Sequence, residues 1–185
     1  GVAEWRGPPP DGLAVERRAP GEALGGEAAA HPMANLAAAM AGETLDIRVT
    51  GAVARPIHLR RIAGAGASYN RVRIVLADKA AATLIESYDG AGAYFADSLT
   101  EATLGAGARL TRDVLQDGSD DGVETALFTA TLAAGAAFRQ LALLLGGRLT
   151  RMETRLQLAG EGAEVDFRSA AILFAASPCA SAARA

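Results

Sequence analysis

Two histidines and one cysteine are the only imidazole and thiol groups in the 185-residue chain. Neither His31 nor His58 stands at the spacing of a metal-binding pair, and Cys179 alone cannot form an internal disulfide, a zinc finger or a self-contained iron–sulfur site. His31, just before Pro32, reads as a helix-start residue, and His58 in "RPIHLRR" as a strand residue facing solvent. No G-x-S-x-G or Cys/His arrangement sets a nucleophile beside a base. "GAGASYN" at 64–70 opens like a dinucleotide-binding turn, but Tyr69 takes the place of the third glycine and alternating residues follow. A loop is predicted there rather than a phosphate cradle. "DGSDDG" at 117–122 resembles a calcium loop, yet its twelfth position is Phe128 instead of a bidentate glutamate, so a solvated turn is predicted. Glu101 and Glu153 are carboxylates that neighbouring coils could bring together, a pairing that a chain this charged yields by chance. No catalytic residue and no metal site are predicted.

The elements that would position any such group fall into three stretches. Residues 1–31 are rich in Pro, Gly, Ala and Glu without a sustained period and read as an extended arm, with Trp5 and Leu13 as local anchors. Residues 32–42, "PMANLAAAMAG", read as a short helix covering the first coil: Pro32 suits a first helical position, Ala and Leu favour the helix, and Gly42 stops it. From 43 to 185 the pattern alternates. "LDIRV", "RVRIVL", "TEATL", "LFTATL" and "METRLQL" are short, β-branched and punctuated by glycine turns, with an Ala-rich tail over 168–185.

The turns recur. Leu76, Leu104, Leu132 and Leu158 are 28, 28 and 26 residues apart, and Ala80, Ala108, Ala136 and Ala163 are 28, 28 and 27 apart. Two residues beyond each alanine stands Ala82, Leu110, Phe138 or Val165, and a weaker copy sits at Ala52, 28 before Ala80. A period of this length marks a solenoid whose units bury their apolar faces on one another. The segments alternate, which excludes helical repeats; the leucine-rich signature is absent, and 28 is not a multiple of six. The expected fold is therefore all-β, a right-handed parallel β-helix with coils of about 26–28 residues. Leu, Ala and Leu/Phe/Val form inward ladders, and Gly107, Gly135 and Gly162 relieve the corners.

Net charge is −3, from 18 basic and 21 acidic residues that read as scattered, so no footprint for nucleic acid or an anionic membrane stands out. The N-terminus has no apolar leader, and no run approaches the roughly 20 residues of a membrane helix. A cytoplasmic protein is expected.

"PMANLAAAMAGETLDIRVTGAVARPIHL", "RVRIVLADKAAATLIESYDGAGAYFADSLTEATLGAGARLTRDVLQDG" and "FTATLAAGAAFRQLALLLGGRLTRMETRLQLAGEGAEV" together resemble the core of the SufB/SufD family of iron–sulfur cluster assembly proteins, over about 32–166. The most specific parts are "PIHL", Leu84, Glu86 and Tyr88 as L-x-E-x-Y, Thr100, Glu101 and Leu104 as T-E-x-x-L, "GGRLTR" at 146–151 and "L-x-G-E-G-A" at 158–163. The resemblance implies a parallel β-helix and a non-catalytic scaffold. It also implies SufB-like and SufC-like partners, or a homodimer through β-helix edges or an open end. Iron–sulfur cluster and ATP enter only at the level of that complex. After Val165 the sequence departs from the family, lacking its later histidine and the helical segment that docks SufC. Cys179 is the one candidate in this chain for contact with a cofactor. A β-helix carbohydrate-active enzyme or another β-solenoid binding protein is the alternative; it would need acidic side chains of successive coils to converge on one groove.

Overall fold

The computed structural model describes residues 8–172 except Glu22, and the backbone of 179–184. The strands are β1 (Leu13–Arg18), β2 (Thr44–Val49), β3 (Ile57–Ala63), β4 (Gly66–Leu76), β5 (Ala81–Gly90), β6 (Tyr94–Leu104), β7 (Arg109–Asp117), β8 (Gly122–Leu132), β9 (Ala137–Leu144), β10 (Leu149–Leu158), β11 (Glu164–Ala171) and β12 (Cys179–Arg184). Two helices, α1 (Gly26–Ala29) and α2 (Pro32–Met40), lie between β1 and β2. Even-numbered strands stack in sheet A, in the order β1-β2-β4-β6-β8-β10-β12, and the remaining odd-numbered strands in sheet B, β11-β9-β7-β5-β3. All pairings are parallel except β1 with β2. Each coil contributes one strand to either sheet, so the chain forms a flattened parallel β-helix, the expected fold.

The period in the sequence is the register in space. Leu76 pairs with Leu104, and Leu104 with Leu132; all three are fully buried. Ala80, Ala108 and Ala136 are buried beside them, as are Leu110 and Phe138. At the last described corner the ladder opens, leaving Leu158 and Val165 exposed. The weak first copy is displaced by one residue. Ala52 makes only a bridge to Ala81 and stands exposed, and Val53 takes the buried place. At the corners the backbone turns left-handed at Lys79, Gly107, Gly135 and Gly162, with φ of 61°, 66°, 64° and 71°. Glycine adopts this region freely and other L-residues do so at a cost. Successive corners are tied together, Lys79 N–H donating to the Ala106 carbonyl and Gly107 N–H to that of Ala134.

Two local expectations change. "GAGASYN" is mostly strand: β4 starts at Gly66, and Tyr69 packs edge-on against Phe95 at 6.0 Å, because the parallel register extends back to Tyr94. Within the lead-in, Leu13 is buried in the core and β1 adds antiparallel to β2, while Trp5 lies outside the described residues. "DGSDDG" is the turn between β7 and β8. Helix α2 lies on the outer face of sheet A, against β4 and β6, and its Ala34 and Ala37 are buried with Leu99 and Leu127. No helix among the described residues is long and apolar enough to cross a membrane.

Candidate functional site

Inside the β-helix one half is apolar, and the other mixes polar side chains with a smaller apolar cluster around Tyr88, Val114, Leu144 and Met152. The apolar half is the Leu/Ala/Phe ladder, where Phe128 and Phe138 stack at 5.3 Å. In the polar half, side chains from successive coils form a chain of hydrogen bonds. Arg61 on β3 donates to Glu86 Oε1 at 2.7 Å and to Thr100 Oγ1 at 2.9 Å. Arg112 on β7 donates to Glu86 Oε2 at 2.5 Å and, from its other arm, to Gln140 Oε1 at 2.6 Å. Thr154 on β10 closes the chain by donating to Gln140 at 3.2 Å. Arg61 lies over the Tyr88 ring at 4.8 Å and Arg112 over that of Phe128 at 4.2 Å, so the flat faces of both guanidinium groups are covered by aromatic rings.

Burial alone would push the Glu86 carboxyl up, but the guanidinium groups of Arg112 and Arg61 outweigh it and hold it down at about 2. Burial pushes the Tyr88 phenol up to about 12, so it stays protonated. Two cations on one carboxylate, each with a second acceptor, form a satisfied network; its members are committed to one another rather than poised for a reaction.

Next to it sits a less satisfied group. Glu124 Oε2, both ends of the Gln116 amide and the Tyr94 hydroxyl are buried without a protein hydrogen-bond partner. Burial pushes the Glu124 carboxyl up to about 7, outweighing the neighbouring Gln116 amide and the more distant Arg61 guanidinium, which pull it down. Glu124 also lines a cavity of about 240 Å³ that runs in from the β3 end between the two sheets, bordered by Leu59, Arg61, Ser68, Asn70 and Ser98.

On the outside, His31 caps α2 by accepting the Ala34 N–H at Nδ1, 3.3 Å away, so its Nε2–H donates to Glu153 Oε1 at 3.0 Å. Burial raises the Glu153 carboxyl, but His31 and Arg151 more than compensate and lower it. His31 is thus a clasp between the helical lead-in and β10, beyond the helix-start role that its neighbour Pro32 signals. His58 is exposed on β3 as expected and bonds Ser87 at 2.9 Å. Glu101 and Glu153 do not meet: their strands, β6 and β10, are separated by β8, and Glu101 takes Arg71 at 2.9 Å instead. Cys179 begins β12 beside Thr150, and its side chain is outside the described residues. Of the interior network, only Glu86 and its neighbour Tyr88 carry a signal in the sequence, as part of L-x-E-x-Y; Arg61, Arg112 and Gln140 carry none.

Among the described residues no three His, Cys, Asp or Glu side chains gather where they could hold a metal ion. No curated protein matches the chain. The family profile described as "SUF system FeS cluster assembly, SufBD core domain" matches residues 60–177, more than half of the sequence and nearly all of the coiled region from β3 to β11. Stacked parallel coils and this match agree, and the chain belongs to the SufB/SufD family, taking part in iron–sulfur cluster assembly by the SUF system.

Proposed function

We propose that the chain is a SufD-type, non-catalytic scaffold subunit of the SUF machinery, pairing with a SufB-like protein, and with a SufC-like ATPase as a further partner in the full-length family. The observation that carries this reading is the commitment of the interior: Glu86, Arg61, Arg112 and Gln140 satisfy one another inside the coils. The outside and the ends of the stack present strand edges that can pair with another chain. The Leu84, Glu86 and Tyr88 motif then has a structural purpose, holding successive coils in register. The arm (1–31), the covering helix (32–42) and the coils (43–185) are proposed as its three parts. Cys179 is the one candidate for a cluster-binding or redox residue, and a homodimer through β-helix edges or the open end is the state without partners.

The test is co-expression with SufB-like and SufC-like proteins followed by size-exclusion chromatography. Co-elution in fixed stoichiometry is expected. A folded chain that associates with neither at low salt overturns the reading.

A further inference from the structure

The arginine network leaves one set of interior polar groups unused. Tyr94 at the start of β6, Gln116 on β7 and Glu124 on β8 are all buried, with 5%, 0% and 3% exposure. The Tyr94 hydroxyl, both ends of the Gln116 amide and Glu124 Oε2 have no protein hydrogen-bond partner. They converge on one corner of the coils. A Cβ on Gly118 would fall on the Tyr94 hydroxyl and 2.9 Å from Gln116 Nε2, and one on Gly122 would come 2.7 Å from the same hydroxyl. A Cβ on Gly147 would stand 3.5 Å from Gln116 Nε2, 3.6 Å from the Gly122 carbonyl oxygen and 2.6 Å from Thr150 Oγ1. Glycines of two turns thus keep side-chain carbon away from these atoms. Buried polar groups without a partner are rare, and water or an ion is the usual one.

Charge chooses between the two. The charged groups that act on the Tyr94 phenol are Glu124, Asp117 and Asp89; together with burial, the larger cause, they push it up to about 12 against the nearby Ser119 amide. The adjoining turn, "DGSDDG", adds Asp120 and Asp121, which like Asp117 are exposed and make no ion pair among the described residues. Arg61, which acts on Glu124 from β3, is held by Glu86 and Thr100, and Arg60 is held by Asp89 at 2.7 Å. Arg148, in the following turn, is exposed. Asp117, Asp120, Asp121 and Glu124 therefore leave the turn side of this corner with a surplus of negative charge.

The donor set fixes the kind of cation. It offers oxygen: one carboxylate, a phenol, a backbone carbonyl and the Gln116 amide, either end of which can be the oxygen. No three acids gather among the described residues, so a doubly charged ion would lack countercharge, whereas one carboxylate among neutral oxygens suits a hard ion of single charge. We propose that this corner binds a monovalent cation, sodium or potassium, through Glu124, the Gln116 amide oxygen and the Tyr94 hydroxyl, with the acidic turn as its entrance.

The test is thermal unfolding of the whole chain at about pH 8, followed by circular dichroism, in about 0.1 M potassium, sodium or choline chloride, salts that screen equally. The melting temperature is expected to be at least about 2 °C higher in potassium or sodium than in the bulkier choline, because only the folded state binds the ion. Glu124→Gln removes a buried charge and is expected to be more stable than the parent in choline, but its melt should not respond to the small cations. Tyr94→Phe removes one oxygen and keeps the ring; it should lose at least half of the response. Equal melts of the parent in all three salts overturn the proposal and leave buried water as the partner of these groups. So does a response that Glu124→Gln retains or, where that variant does not fold, one that Tyr94→Phe leaves unchanged. A larger rise with about 1 mM calcium chloride, abolished by Asp120→Asn/Asp121→Asn, would put the ion on the surface turn and overturn it as well.

Discussion

Glu86 is the most consequential single residue in the interior. With its carboxyl held at about 2 against an ordinary value of 4.5, it contributes stability above the unfolded value that is lost as pH falls through the folded one. Glu86→Ala would leave two buried guanidinium groups uncompensated, which costs about 3–5 kcal/mol. Urea denaturation at neutral pH should record a loss of that size, and a loss of only a few tenths would mean that water reaches both arginines. Glu124 has the opposite sign. Its carboxyl is raised to about 7, so the folded state is favoured below the unfolded value, and that advantage fades as pH rises through 7. Glu124→Gln should therefore be more stable than the parent at pH 8 and should flatten the stability profile between pH 4.5 and 7. An unchanged profile would show that Glu124 ionises freely in the folded protein.

Among the elements, the corners and the clasp matter most. Lys79 occupies the left-handed position that Gly107, Gly135 and Gly162 fill in the following coils. Lys79→Gly is expected to raise stability slightly, the release of about 1 kcal/mol of backbone strain being partly offset by the freer unfolded chain, whereas Gly107→Ala should lower it by about 1 kcal/mol. Paired thermal melts compare the two, and shifts in the same direction would contradict the argument. Ala108 is fully buried in the ladder, so Ala108→Glu places a carboxylate where no partner exists; a soluble variant with an unchanged melting temperature would show the ladder to be misread. At the clasp, His31→Ala removes both the cap of α2 and the bond to Glu153. About 1–2 kcal/mol should be lost, with faster hydrogen exchange in α2 as the local signature.

At the scale of the molecule, each coil touches chiefly its neighbours, so stability accumulates along the stack. Central strands β6 and β8 have partners on both edges, and β3 and β11 have described partners on one. Amide exchange should be slowest in β6 and β8 and fastest at β3 and β11, the edges through which a scaffold would meet its partners. Uniform protection from end to end would indicate that those edges are already covered.

What the sequence determined by itself was local and repeated: the alternation, the spacing near 28 and the corner glycines, from which the β-helix and its apolar ladder follow. These are legible because strand faces alternate with period two and the repeat carries that phase from coil to coil. The tertiary structure decided what depends on phase across corners of unequal length, since a slip of one residue turns a side chain to the other face. Val53 replaces Ala52 in the core for that reason. Glu101 and Glu153 lie two strands apart instead of adjacent. Arg61, Glu86, Arg112 and Gln140 carry side chains typical of surfaces, and only the shared inward phase of four coils shows them to be a buried network. The His31 to Glu153 bond spans 122 residues and depends on how the lead-in folds back over sheet A, which no local pattern encodes.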